Sequence, residues 1–137
     1  KINVTTNSLK NVTMNNLENI EDAASNNNNV SDQIIQKVLE YMNENYNKKI
    51  TLEKLSELVY MNPSYFSVYF KQKTGQNYID YLTNLRIEKA KELLQNTDCK
   101  IYEIATMVGY DDFRYFSRLF KKSTGVNAFE YRKLLAQ

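Results

Sequence analysis

Residues 109–125 read Gly109-Tyr110-Asp111-Asp112-Phe113-Arg114-Tyr115-Phe116-Ser117-Arg118-Leu119-Phe120-Lys121-Lys122-Ser123-Thr124-Gly125. The start of this stretch predicts a tight turn and then a short helix, which Asp111 can cap by accepting a hydrogen bond from a free backbone N–H group. Gly125 ends the helix, because glycine readily takes a left-handed conformation. Helical spacing places Phe113, Phe116 and Phe120 on an apolar face and Arg114, Arg118 and Lys121 on a basic face. A short basic helix that follows a tight turn suits insertion into a DNA groove.

The same pattern occurs a second time, fifty residues earlier in the chain. Residues 65–77 align with residues 115–127, and eight of the thirteen aligned positions are identical. Upstream, residues 52–59 align with residues 101–108 at an offset of 49, so the second copy gains one residue in or just after its turn. The chain therefore contains two copies of a short helix, a tight turn and a second helix, which is the helix-turn-helix layout.

Cap residues and apolar spacing predict an all-α fold. It has seven helices, arranged as two helix-turn-helix motifs joined by a long central helix and preceded by a flexible Asn-rich segment. The first helix is expected to begin after Ser31 and to end near residues 45–47. The other boundaries are about 51–75 for the first motif, 77–95 for the linking helix, 100–125 for the second motif and 127–135 for the last helix, with recognition helices at about 63–73 and 112–123.

The linking helix is expected to hold the two motifs at a defined separation. About nineteen residues span roughly 28 Å at the α-helical rise. Two recognition helices that enter successive major grooves lie about 34 Å apart. Because the spacer is rigid and its length is of the order of this separation, we expect both motifs to bind the same DNA site together. The DNA site would be asymmetric, because the two recognition helices differ in sequence.

Residues 1–29 are polar and rich in asparagine. Such a segment buries too little apolar surface to offset its ordering entropy, so we expect a linker or the tail of a missing upstream domain. A weak helical spacing from Leu9 through Met14 to Ile20 is the alternative. The DNA-binding domain is predicted over residues 30–137. A chain that begins with Lys1 is expected to be a processed form or a fragment of a longer protein.

Charge and composition exclude several classes of function. The net charge is only +2, but windows 63–75 and 113–125 together hold six Lys and Arg and no acidic residue. These windows predict two local anion-facing patches. The chain has no histidine and only Cys99, so we expect no enzyme, metal site, disulfide or cofactor. Without a long apolar run or a signal peptide pattern, we expect a cytoplasmic protein with no membrane partner.

A longer set of residues carries a family resemblance. It comprises Leu52-x-x-Leu-Ser, Tyr65-Phe-Ser, Phe70-Lys-x-x-Thr-Gly, Tyr81-Leu, Arg86-Ile-x-x-Ala90-x-x-Leu-Leu94, Ile104-Ala, Val108-Gly-Tyr, Tyr115-Phe-Ser-Arg-x-Phe-Lys-Lys, Thr124-Gly and Glu130-Tyr-Arg132. With these residues, about 32–135 closely resemble the DNA-binding domain of the AraC/XylS family of bacterial transcription regulators. The resemblance implies double-stranded promoter or operator DNA as the partner, RNA polymerase as a further candidate partner, and an upstream sensor, dimerisation or receiver domain.

Three positions depart from the family pattern. Ala128 stands where proline is usual, and as a good helix former it should change little. Ser56 stands where a small alanine is usual. Tyr60 occupies the position that Gly109 holds in the second motif, so we expect the first turn to differ in shape from the second.

Exposed positions early and midway in each recognition helix are the candidates for contacts with base edges. They are Ser64, Tyr65, Ser67 and Val68 in the first motif and Phe113, Arg114, Ser117 and Arg118 in the second. Arginine can pair with guanine, whereas phenylalanine and valine can contact a thymine methyl group. Candidates for phosphate contacts, which position the protein without specifying sequence, are Lys71, Lys73, Lys121 and Lys122.

Other readings of these residues remain open. The family resemblance suggests a structural ion pair for Arg86. Arg132 and Lys133 can form a charge pair with the dipole at the C-terminus of their own helix or touch backbone phosphate, and the dipole is favoured. The alternative function is a basic helical module that binds an acidic protein. A related layout occurs in DNA alkyl-repair proteins, but a lone Cys99 does not support that chemistry.

Overall fold

Seven α-helices make up the part of the chain that the structure describes. The computed structural model describes residues 14–136, with side chains from residue 30 onward, and it contains no strand in this range. The helices are α1 (Met14–Asn45), α2 (Leu52–Leu58), α3 (Pro63–Thr74), α4 (Tyr78–Asn96), α5 (Ile101–Met107), α6 (Phe113–Thr124) and α7 (Ala128–Leu135). This order confirms the predicted all-α fold with two helix-turn-helix motifs and a linking helix.

The first helix starts earlier than the sequence pattern predicts. α1 begins at Met14 rather than after Ser31, and it ends at Asn45 as expected. No glycine or proline interrupts residues 14–45, so the backbone can continue through Ser31 without a cap. The weak apolar spacing before residue 30 is therefore part of α1 from Met14 onward; Leu9 and Val12 lie outside the described residues. The chain divides into two units at residues 40 and 41, and among the described side chains of the first unit, from residue 30 to residue 40, Ile35 and Val38 are buried.

The first motif consists of α2 and α3. Thr51 caps α2, because its hydroxyl oxygen accepts a hydrogen bond from the backbone N–H of Lys54 at 3.1 Å. Asn62 caps α3 and accepts from the N–H groups of Ser64 and Tyr65 at 2.8 and 3.3 Å. Pro63 occupies the first helical position, where no N–H donor is needed. Local chemistry therefore determines where both helices begin.

The second motif consists of α5 and α6, and its cap differs from the prediction. Asp112 rather than Asp111 caps α6, accepting from the N–H groups of Arg114 and Tyr115 at 2.9 and 3.2 Å. The prediction of Asp111 was wrong because two adjacent aspartates both suit the role by type. The repeat identifies the correct one, since Asn62 aligns with Asp112 at the offset of fifty, which leaves Asp111 as the inserted residue.

The two turns close in the same way despite their different residues. The N–H of Met61 donates to the carbonyl of Ser56 at 3.0 Å, and the N–H of Tyr110 donates to the carbonyl of Ala105 at 2.9 Å. The residue before each donor has a positive φ, 58° at Tyr60 and 109° at Gly109. The closing hydrogen bond is therefore the same with glycine and with tyrosine. The two turns differ in φ and in the preceding bond, which runs from the N–H of Val59 to the carbonyl of Ser56 and from the N–H of Val108 to the carbonyl of Ile104.

Each motif buries the same aromatic group. Phe116 and Phe120 are fully buried, which confirms their place on the predicted apolar face, and their counterparts Phe66 and Phe70 are fully buried as well. In both motifs the second phenylalanine meets a half-buried tyrosine edge-on, with ring centroids 5.6 Å apart for Phe70 and Tyr81 and 5.4 Å apart for Phe120 and Tyr131. Such edge-to-face pairs add to the stabilisation from apolar burial. The repeat thus extends from the sequence into the packing.

The linking helix α4 belongs to the core of both motifs. It has 19 residues, and Leu82, Ile87, Ala90 and Leu94 are its buried residues. At about 1.5 Å per residue it spans roughly 28 Å. α3 packs against it from the first motif, and α5, α6 and α7 pack against it from the second. The two recognition helices are therefore carried by one shared helix.

Candidate nucleic-acid interface

The second recognition helix, α6, presents a basic and aromatic surface. Arg114 and Arg118 are exposed, Phe113 is 43% exposed, and Ser117 is partly buried. Phe113 therefore lies outside the buried face that holds Phe116 and Phe120. The guanidinium carbon of Arg118 lies 5.8 Å from the ring centroid of Tyr115, within the range of a cation–π contact. The structure thus brings the predicted contact residues together on one exposed surface.

The first recognition helix, α3, presents a neutral surface at the equivalent positions. Ser64 is exposed, Tyr65 is 62% exposed, Val68 is 58% exposed, and Ser67 is partly buried. These side chains offer hydroxyl groups and one aliphatic group but no arginine. The two faces are therefore equivalent in position and different in chemistry.

A cleft lies beside each recognition helix, where the following helix begins. The first cleft is lined by Ser67, Val68, Lys71, Gln72 and Asn77. The second is lined by Ser117, Arg118, Lys121, Lys122 and Asn127. Every lining residue of one cleft has its counterpart in the other at an offset of fifty. The second cleft has three cationic side chains and the first has one, so an anion is attracted more strongly to the second.

The start of the next helix closes each cleft. Asn77 accepts a hydrogen bond from the N–H of Asp80 at 2.8 Å, and Asn127 accepts from the N–H of Glu130 at 2.8 Å. First-turn N–H groups lack partners within their helix and carry part of the positive end of the helix dipole. Lys71, Lys121 and the helix starts can therefore act together on one anion beside each recognition helix.

Lys73 is placed differently from the other predicted phosphate-contacting lysines. Lys71, Lys121 and Lys122 line the two clefts. The Nζ of Lys73 instead lies 6.0 Å from the ring centroid of Tyr69, a buried residue of α3. Lys73 is exposed, but it does not join the lysine of the first cleft.

Comparison with known proteins identifies the family. A family model described as a helix-turn-helix domain matches residues 55–134, from the middle of α2 through the linking helix and the whole second motif. The chain belongs to the AraC-type helix-turn-helix family. This membership agrees with the resemblance carried by the repeated motifs.

Relatives of the AraC-type domain include regulators and a solved response-regulator domain. The helix-turn-helix-type transcriptional regulator YijO of Escherichia coli is 38% identical over 104 residues, covering 75% of this chain and 36% of YijO. The transcriptional activator Btr of Bacillus subtilis is 40% identical over 85 residues, covering 62% of this chain and 16% of Btr. The C-terminal domain of the response regulator AraT from Geobacillus stearothermophilus is 40% identical with a TM-score of 0.71, covering 74% of this chain and 84% of that one. The chain spans about a third of YijO and less of Btr.

Two arginines of this AraC-type domain are engaged with backbone carbonyl groups. Arg86 on α4 donates to the carbonyls of Tyr46 and Lys48, at 2.6 and 2.9 Å. Its role is structural, as expected, but its partners are main-chain oxygens near the end of α1, so the predicted ion pair was wrong. The family resemblance suggested a carboxylate as the partner of Arg86. A main-chain carbonyl could not be predicted, because any residue type can supply one.

Arg132 on α7 makes a similar clamp at the end of α4. It donates to the carbonyls of Leu94, Thr97 and Cys99 at 3.1, 3.1 and 2.7 Å. The carbonyl end of a helix is negative, so a cation is stabilising there. The prediction placed Arg132 at the dipole of its own helix, whereas its guanidinium binds carbonyls at and just after the end of α4, so that prediction was wrong about the helix involved.

Tyr115 is an exposed residue of the interface that the sequence reasoning did not select. It is 46% exposed and lies between the ring of Tyr110, at 5.8 Å, and the guanidinium of Arg118. Its counterpart Tyr65 was selected, so applying the repeat to every position would have found it.

Two features are absent from the described part of the chain. Residues 14–136 contain no group of three or more histidine, cysteine, aspartate or glutamate residues placed to hold a metal ion. No helix in this range is long and apolar enough to cross a bilayer.

Proposed function

We propose that this AraC-type domain reads double-stranded promoter or operator DNA with α3 and α6 in successive major grooves. The observation that carries the proposal is the repeated surface. Two recognition helices, each with an adjoining cleft lined by equivalent residues, are held on one rigid helix. An anionic polymer with a repeat of about 34 Å presents phosphates and base edges at two such places.

The two recognition helices have different tasks in this proposal. Arg114 and Arg118 on α6 can each donate two hydrogen bonds to a guanine edge, and Phe113 can contact a thymine methyl group. Ser64, Tyr65, Ser67 and Val68 on α3 have no positive charge and suit methyl contacts and the sensing of DNA shape. A single chain would then read a site with two unequal half-elements.

The clefts are the proposed phosphate sites. Lys71 in the first cleft and Lys121 and Lys122 in the second can neutralise backbone phosphates beside the grooves that the recognition helices enter. Lys73 remains a candidate for a phosphate further along the backbone, because it is exposed on α3. The unequal charge predicts that the second motif contributes more of the salt-dependent affinity.

Further partners are proposed for the whole regulator. YijO and Btr are transcription regulators much longer than this chain. We infer that this domain likewise works in the bacterial cytoplasm as the DNA-binding part of a larger protein. We also infer that dimerisation resides in an upstream domain and that RNA polymerase is contacted at the promoter. The proposal includes no catalytic step and no cofactor.

Selection of bound duplexes from a random DNA pool tests the proposed function. We expect a consensus with two unequal half-elements about one helical turn apart, and binding that weakens steeply as salt rises. A pool that yields no consensus, or binding that hardly depends on salt, would favour the rival reading as a module for an acidic protein.

A further inference from the structure

Arg86 of α4 touches both helix-turn-helix motifs. Its Nε and one terminal nitrogen donate to the carbonyls of Tyr46 and Lys48, in the connection between α1 and α2 at the base of the first motif. Its guanidinium carbon lies 4.9 Å from the ring centroid of Tyr110, in the turn of the second motif. One side chain therefore joins the entry to one motif with the turn of the other.

The backbone of the second turn packs directly on this guanidinium. A Cβ atom built at Gly109 would lie 2.9 Å from the Cζ of Arg86, closer than real Cβ contacts. The half-buried ring of Tyr46, whose carbonyl Arg86 binds, packs against the core cluster of the second motif. The entry to the first motif therefore contacts the second motif next to the residue that Arg86 holds.

The helices of the two motifs pack on α4 rather than closely on each other. Within the described residues, no closely packed helix pair joins α2 or α3 to α5, α6 or α7. An open cleft lies between the two motifs, and its lining includes Lys48 and Lys49 from the first side and Thr106 and Asp111 from the second, with Arg86 between them. Besides α4 and the packing of Tyr46, the side chain of Arg86 therefore connects the two sides of this cleft.

We propose that Arg86 is a positioning residue that determines which spacing between DNA half-elements the domain accepts. The proposal rests on the proposed function, because it concerns how two linked recognition helices meet one duplex. One inserted base pair moves a half-element by about 3.4 Å and rotates it by roughly 35°. Linked modules gain affinity from joint binding only where their geometry matches the two sites. Without the contacts of Arg86, the domain should lose affinity for DNA with the matched spacing and lose less affinity for DNA with other spacings.

The test measures affinity as a function of spacing. The probes are the duplex selected by the wild-type chain, variants with one base pair inserted or deleted between the half-elements, and each half-element alone. We expect the wild-type chain to favour the selected spacing over its neighbours by about tenfold, and Arg86→Met to reduce this ratio to about threefold or less. A merely destabilised protein has a smaller active fraction, which lowers binding to all probes by the same factor.

Arg132→Met is the matched control. Arg132 on α7 also binds main-chain carbonyls, but its acceptors lie in the last turn of α4 and in the connection to α5, so it joins no part of the first motif to the second. We expect the wild-type spacing ratio from this variant, whatever its overall affinity. Arg86→Lys keeps the charge but cannot bridge two carbonyls and a ring, so it should give an intermediate ratio. It replaces Arg86→Met if circular dichroism finds that variant unfolded.

Two results are distinguishable failures. A wild-type ratio in both Arg86 variants, with half-element binding retained, overturns the role of Arg86 and leaves DNA reading intact. A wild-type chain that selects no consensus overturns the proposed function itself.

Discussion

Tyr60 holds the same left-handed backbone position in the first turn that Gly109 holds in the second, with φ values of 58° and 109°. Left-handed backbone costs a residue with a side chain about 1–2 kcal/mol. The side chain of Tyr60 is 94% exposed, so little packing offsets that cost. The first turn is therefore a place where this domain carries backbone strain.

Replacing Tyr60 with glycine should stabilise the domain. Glycine removes the backbone strain, but its greater freedom in the unfolded chain lowers the gain in the free energy of unfolding by about 0.5–1 kcal/mol. The net gain in the free energy of unfolding is expected to be up to about 1 kcal/mol, measured by urea denaturation. Tyr60→Ala is the control, because it removes the exposed ring and keeps the strain. Equal stabilisation by both variants would mean that the ring, and not the backbone, is the cause.

Gly109→Ala should destabilise the domain more than alanine at either of the other two glycines. All three glycines have positive φ, but only a Cβ at Gly109 would meet Arg86, whereas Gly75 and Gly125 have open space. We expect a loss of about 2–4 kcal/mol at Gly109 and about 1–2 kcal/mol at the other two, measured by thermal and urea unfolding. Equal losses at all three positions would show that Arg86 yields easily to the added atom.

Arg118→Ala and Lys121→Ala should separate base reading from phosphate contact. Loss of a guanine-reading arginine is expected to cost about 1–3 kcal/mol of binding and to relax preference at one base pair. Loss of a phosphate-contacting lysine should weaken all sequences about equally and lower the salt slope by about one. The measurement is binding to single-base variants of the selected duplex over a range of salt. Identical sequence profiles for the two variants would contradict the assigned roles.

Tyr115→Leu should weaken base discrimination at the position that Arg118 reads. The ring of Tyr115 lies beside the guanidinium, and such exposed cation–π contacts contribute about 0.5–1 kcal/mol. In the Arg118→Ala background the same change should have no further effect at that base pair, which a double-mutant cycle measures. Tyr65→Leu is the matched control, because Val68 stands where Arg118 does. Additive effects of the two changes in α6 would argue that the residues act independently.

Much of this fold follows from local chemistry and from the repeat. Asn62, Pro63 and the paired Thr-Gly sequences define helix ends by their own side chains and backbone preferences, so boundaries near them were predicted to within a residue or two. The choice between Asp111 and Asp112 failed because both residues suit a cap, and only the register of the turn separates them.

The partners of Arg86 and Arg132 could not be predicted from residue types. Their acceptors are carbonyls of Tyr46, Lys48, Leu94, Thr97 and Cys99, and any residue in the right place offers a carbonyl. The start of α1 failed for a different reason, since asparagine neither favours nor forbids a helix strongly. Prediction from the sequence was therefore limited by long-range contacts with main-chain atoms and by the weak helix propensity of asparagine.

The unequal charge of the two clefts gives the domain a polarity on DNA. The motif with three cationic cleft residues and the motif with one cannot exchange places without changing every predicted contact. A binding site turned end for end is then a different sequence for this protein, unlike a palindrome read by a symmetric dimer. The orientation of the site along the chromosome would then decide which way the bound domain faces.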